Sequence, residues 1–173
     1  MAENKAALEP WMRGTYGEAP AVLRAVIHAL ELSREDVERW CAHLTDEEWN
    51  MHPQGLAPAA FHIRHIARST DRLLSYAEGE QLSNAQLELM KSEADPRASG
   101  KEVLAELDAA LVRAEARIRA FAGVDLEAKR ALGRKALPTT VGGLLVHVAE
   151  HTSRHVGQVV ITAKLAIASR GVF

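Results

Sequence analysis

Apolar positions recur at helical spacing along most of this chain, and four long stretches carry the signal. The first opens near Pro20, a residue suited to a first helical turn. From there Leu23, Ile27, Leu30, Val37, Cys41 and Leu44 drift slowly around one side, as a buried stripe does. Ser33 with Asp36 resembles a capping box and predicts a break in that helix. Thr45-Asp-Glu-Glu48 is a cleaner capping box and predicts a short turn around Trp49. The second stretch runs over 58–77 with Phe61, Ile66, Ala67, Leu73 and Leu74, and Gly79 is its expected stop. Between 80 and 100, Ser83, Asn84, Pro96, Ser99 and Gly100 read as loop and cap residues around a short helix over 85–92. The third stretch, 101–121, places Val103, Leu104, Leu107, Leu111, Ala114, Ile118 and Phe121 in register; Ser99 is its expected cap and Gly123 its stop. A connector ending in Pro138-Thr139-Thr140 leads to the fourth, over 141–169, with Thr139 or Thr140 as its cap. Leu144, Leu145, Val148, His151, His155, Val159 and Thr162 share one broad face of that helix.

Four amphipathic helices within 173 residues predict one all-α domain over 1–173, an antiparallel four-helix bundle. The long segment between the second and third long helices leaves room for a crossover connection. Residues 1–15 precede the first stripe and read as an N-terminal extension.

Composition narrows the function. Hydrophobic residues make up 47% and charged residues 25%, normal for a globular protein, and the net charge is −2. That charge, with an isoelectric point of about 6.4, leaves no electrostatic footprint for nucleic acid. The densest basic group, Lys129, Arg130, Arg134 and Lys135, reads as a solvated loop. No apolar run is long enough for a membrane span, and residues 1–10 lack the apolar region of a signal peptide. One cysteine, Cys41, allows no intrachain disulfide. The default location is the cytoplasm.

The chemistry lies in the histidines. Of eight, five fall in two helical segments: His62 and His65 on the second long helix, His147, His151 and His155 on the fourth. A four-residue step turns only about 40° around a helix, so the last three form a ladder along one face. Two imidazoles one turn apart can hold a divalent ion, and bundle cores build such sites from facing helices. Three neutral imidazoles with an open fourth position suit zinc, nickel or iron. No second carboxylate-rich Glu-x-x-His set is present, which argues against a di-iron site. His147-Val-Ala-Glu-His151 also spells H-x-x-E-H, a zinc-protease signature with Glu150 as general base. That class needs a further acidic ligand well downstream, and only 22 residues follow His151.

Other residues take plainer readings. Glu150 and Arg154 sit about 100° from their neighbouring histidines and read as exposed charges, with Glu150 kept as the one acid/base candidate. Arg64, Arg68 and Arg72 read as a solvated stripe, the alternative being a receiver for an anionic substrate. Cys41 reads as a small core residue, and Trp11, Trp40 and Trp49 as packing anchors. His28, His43 and His52 are not expected to be ligands.

The segment His151-Thr-Ser-Arg-His155-Val-Gly157-Gln158, preceded by Leu144-Leu145-Val-His147, resembles the last-helix motif of the DinB/YfiT superfamily. Thr45-Asp-Glu-Glu-Trp49, Pro53 and Pro58-Ala-Ala-Phe-His-Ile-Arg-His65-Ile resemble the family's second element, a histidine following a Trp-containing turn. The resemblance spans roughly residues 20–165. It implies a four-helix bundle of DinB/YfiT type and one divalent metal (zinc, nickel, iron or manganese, with zinc or nickel preferred) on His65, His151 and His155. Water or a thiolate would fill the open position. It implies a metal-dependent thiol S-transferase or hydrolase acting on a small molecule, with a low-molecular-weight thiol such as bacillithiol or mycothiol as cosubstrate, and a homodimer. His62 stands one turn before His65 and is an alternative ligand. His147 and Gln158 are either alternative ligands or supports for the ligand rings. The rival reading is a non-enzymatic, stress-related or small-ligand-binding bundle with a structural or vestigial metal site.

Overall fold

The computed structural model describes residues 8–171, so the first seven residues of the expected extension lie outside it. Its described part forms a 3-10 turn over Pro10–Met12. The guanidinium of Arg13 reaches Glu31 at 3.1 Å and Glu35 at 2.8 Å, which ties this turn to the first long helix.

That helix, α1, runs Ala21–Cys41 behind Pro20. It does not break at Ser33. The Ser33 hydroxyl donates to the carbonyl of Ala29 at 2.7 Å instead of capping a new helix. At Thr45 the expected box half-forms: the Thr45 amide donates to the Glu48 carboxylate at 2.8 Å, and a 3-10 turn follows over Glu48–Asn50. The next helix, α2, spans Ala59–Glu78 and ends on Gly79, whose φ of 92° is the left-handed cap a glycine allows. A short α3, Asn84–Lys91, opens on a Ser83–Gln86 capping box. Another box, Ser99 with Glu102, opens α4, Gly100–Arg119. The longest helix, α5, Val141–Ala168, is capped by the Thr140 hydroxyl.

The connector expected as a solvated loop contains a hairpin. Strands β1, Lys129–Leu132, and β2, Leu137–Thr140, pair antiparallel from Lys129 opposite Thr140 to Leu132 opposite Leu137. Neither strand buries a residue, so no hydrophobic alternation marks them. Arg130 donates to the carbonyl of Ala77 at 2.7 Å and pins the hairpin to the end of α2.

The protein is therefore mostly helical. Each of α1 and α2 packs on both α4 and α5, closing a ring of four. Leu23, Ile27, Ile63, Ile66, Leu74, Leu107, Ile118 and Leu145 fill the middle, all essentially inaccessible to water. Ion pairs reveal the relative directions. Arg68 pairs with Glu106, and further on Glu78 pairs with Arg117, so α2 and α4 run parallel. A parallel pair of consecutive long helices requires the chain between them to travel back along the protein, and residues 79–99 with α3 do so. Thr162 on α5 donates to the carbonyl of Ala57, while His151 faces His65, so α5 runs antiparallel to α2. Among the described residues no helix is long and apolar enough to cross a membrane.

Trp11 is not a packing anchor. It lies exposed, with its indole N–H donating to Glu9 at 2.7 Å. Trp49 is buried, and Trp40 takes the Lys164 ammonium over its ring at 4.0 Å.

Candidate functional site

The antiparallel pairing of α2 and α5 sets the two histidine segments against each other. His65 meets His151 and His155, and the three ring centroids lie 4.5, 4.6 and 5.0 Å apart. One ring nitrogen from each falls within 4.8 Å of the others, and all three residues are half-buried. The Nε2 atoms of His65 and His151 are 3.3 Å apart. Two nitrogens on one tetrahedral zinc ion, each at about 2.1 Å, are separated by roughly 3.4 Å. The donor set thus fits a single divalent ion without large rearrangement.

The far side of each ring is engaged. His65 Nδ1 lies 2.7 Å from a carboxylate oxygen of Glu93, and the other Glu93 oxygen accepts from Arg72 at 2.7 Å. His155 Nδ1 lies 3.1 Å from Nδ1 of His62. His151 Nδ1 has the Ser69 hydroxyl at 3.5 Å, a weak contact. Protons on Nδ1 of His65 and His155, donated to Glu93 and His62, leave Nε2 as the lone-pair nitrogen of each ring. Outer partners of this kind fix the tautomer and ring orientation in histidine metal sites.

Burial also keeps His62, His151 and His155 neutral. Desolvation pushes His62, His151 and His155 each down to about 4, with the neighbouring His65 as the next cause. A neutral imidazole is the form that ligates a metal. Burial alone would raise Glu93, but hydrogen bonds from His65 and Arg72 outweigh it and hold its carboxyl below the usual range.

The remaining sequence candidates separate from this trio. His62 backs His155 rather than joining the three. His147 hydrogen-bonds at 2.8 Å to Glu150, which also pairs with Arg154; all three side chains are substantially exposed. Gln158 is exposed and does not take the His155 Nδ1, which faces His62. Cys41 is buried, and desolvation pushes its thiol up to about 12, so it stays protonated and unreactive.

The arginine stripe on α2 is neither solvated nor open to substrate. Arg64 is buried and donates to the carbonyl of Asp95. Arg68 pairs with Glu106 and donates to the carbonyl of Leu89 at 2.7 Å, and Arg72 holds Glu93. The residue that sequence reasoning missed is Glu93. It sits in a stretch with loop composition, where a lone carboxylate reads as solvated, and no local pattern distinguishes it.

Two hollows are lined by residues that touch the trio, Glu93 and Phe61 in one and His62 in the other, though not by the three histidines themselves. One, of about 190 Å³, is lined by Asn50, His52, Pro58, Phe61, Glu93 and Asp95. Phe61 also stacks on the His65 ring, with centroids 5.8 Å apart. The other, a groove of about 350 Å³, is lined by Leu56, His62, Arg154, Gly157, Gln158 and Ile161.

A family model described as the DinB superfamily matches residues 29–159 of the chain. No curated protein and no solved structure matches it.

Proposed function

This chain belongs to the DinB superfamily, and from that premise we propose that it is a divalent-metal-dependent enzyme of DinB/YfiT type, a thiol S-transferase or hydrolase, with His65, His151 and His155 as metal ligands. The observation that carries this reading is the pairing of two facts. Three half-buried imidazoles offer nitrogens to one point, and two of them have their opposite nitrogens within hydrogen-bond distance of fixed partners. Ordinary core histidines need no such arrangement. The helical ring, with its crossover between the second and third long helices, is read as the family's four-helix bundle.

A bound ion would supply Lewis acidity at the open fourth position, lowering the pKa of a water or thiol there toward neutrality. The chain's own residues do the rest. His151 and His155, desolvated by burial, stay uncharged at neutral pH, and each of the three rings offers a nitrogen toward the same point. Glu93 and His62 hold two of the rings by their Nδ1 atoms. Phe61 stacks beside the His65 ring. The two hollows give a small molecule room beside the trio, and the reading carries with it a low-molecular-weight thiol cosubstrate, a homodimer and a cytoplasmic setting.

The test is turnover by zinc- or nickel-loaded protein. Conjugation of a low-molecular-weight thiol to a chromogenic aryl halide supports the transferase form; hydrolysis of an ester or amide supports the hydrolase form. Either activity should vanish in His151→Ala. Absence of both in metal-loaded protein overturns the enzymatic reading.

A further inference from the structure

Between Gly79 and Ser99 the chain buries one residue, and it is a carboxylate, Glu93. This inverts the usual pattern, in which apolar side chains anchor a segment and Glu stays in water. Helix α3 in the same stretch buries nothing. What holds the stretch on the protein is polar. Gln86 donates to Asp71 at 2.6 Å. Arg68 donates to the carbonyl of Leu89 and, at 3.0 Å, to the Ser92 hydroxyl. Arg64 takes the carbonyl of Asp95, and Arg72 takes Glu93. Arg64, Arg68 and Arg72 rise one turn apart along α2, so a single row of guanidiniums grips the returning chain from 89 to 95.

We infer that Glu93 is a positioning residue for the metal ligand His65, and that residues 84–97 form a polar clasp whose closure is coupled to metal binding. The inference rests on the metal-site reading above. Glu93 reaches His65 only while the clasp is closed, because the arginine contacts on either side of residue 93 set its place. A segment that buries a single side chain opens locally at lower cost than the core helices, which bury whole stripes. An ion that needs His65 oriented by Glu93 therefore binds the closed form better, and by linkage it draws the clasp shut. Arg72 keeps the Glu93 carboxylate charged and aimed: one oxygen is committed to Arg72 and the other to His65. A charged acceptor at Nδ1–H raises the basicity of Nε2, which strengthens its bond to a cation.

The experiment uses the full chain and zinc ions. Zinc affinity is measured by competition with a chromogenic chelator for the natural protein, Glu93→Gln and Glu93→Asp. Backbone hydrogen exchange over 84–97 is followed with and without zinc. The expected results are affinity weakened about 10–100-fold in Glu93→Gln, partial recovery in Glu93→Asp, and slower exchange of 84–97 on zinc addition in the natural protein only. A purely structural role for Glu93 would lower thermal stability while leaving the affinity of the folded molecule unchanged. Zinc affinity within about twofold of the natural protein, or exchange of 84–97 unmoved by zinc, overturns the inference. If Glu93→Gln fails to fold, exchange in the natural protein decides alone. If the natural protein takes up no zinc, the metal-site reading falls as well; if it takes up zinc and neither effect is seen, that reading stands and only the clasp is lost.

Discussion

His62 Nδ1 and His155 Nδ1 stand 3.1 Å apart, close enough to share one proton between two rings that burial keeps neutral. With the proton on His155, Nε2 of His155 is left as the lone-pair nitrogen. His62 then serves the trio without belonging to it. The expected outcome for His62→Ala is a protein that still binds one ion per chain, with affinity reduced roughly 10–100-fold. Chelator competition and elemental analysis check it together. Complete loss of the ion would make His62 a ligand, and unchanged affinity would remove its supporting role.

The same burial makes the metal-free protein sensitive to acid. His62, His151 and His155 titrate near 4 when folded and near 6.5 when unfolded. Between those values the unfolded chain binds more protons than the folded one, so stability rises with pH. The contribution is present above about 6.5 and is lost as pH falls toward about 4. Thermal unfolding in a chelating buffer, from roughly pH 5 to 6.5 and so above the ordinary carboxylate range, should show a rising midpoint. His62→Gln should flatten that slope, and an equally steep slope in the variant would contradict the assignment.

Gly100 opens α4 directly beneath Trp49, and a Cβ built there lands on the indole ring. Trp49 is buried and Asn50 is tied to the carbonyl of Ala98 at 3.1 Å, so the ring has little freedom to move. Gly100→Ala should therefore destabilise by about 1–3 kcal/mol through overpacking, against the usual gain of helix propensity for this exchange. Urea unfolding measures it. A variant as stable as the natural protein would mean that the turn at 48–50 yields.

The returning segment is gripped by polar contacts from α2, and Arg68 supplies two of them, to the carbonyl of Leu89 at 2.7 Å and the Ser92 hydroxyl at 3.0 Å. Arg68→Met should raise proteolytic cleavage within 84–97 several-fold while leaving the core helices protected. Unchanged cleavage would show that the other contacts suffice.

The long helices were legible because each buries a stripe, and a stripe leaves a period in the sequence. Their caps at Ser99, Thr140 and Gly79 were legible because each has its own chemistry. The hairpin at 129–140 was not, since two short strands that bury nothing carry no alternation. The break expected at Ser33 failed because a hydroxyl able to cap a helix can also bond back to the carbonyl four residues earlier. At the site, spacing pointed to five histidines on two helices, and the family resemblance picked out His65, His151 and His155 among them. The roles of Glu93, Arg68 and Arg72 could not, because they depend on where a crossover segment lies in space, and nothing local in residues 80–100 encodes that. Arg64 shows the same limit: four-residue spacing reads as a solvated stripe until a second chain segment covers it.

The metal-site reading requires that His65, His151 and His155 hold one divalent ion. Elemental analysis of protein purified without chelator, repeated after chelation and reconstitution with zinc or nickel, tests it most directly. One ion per chain is expected in the natural protein and in His147→Ala, and less than about a tenth of that in His151→Ala. No stoichiometric ion in the natural protein under either condition, or full occupancy in His151→Ala, would contradict it.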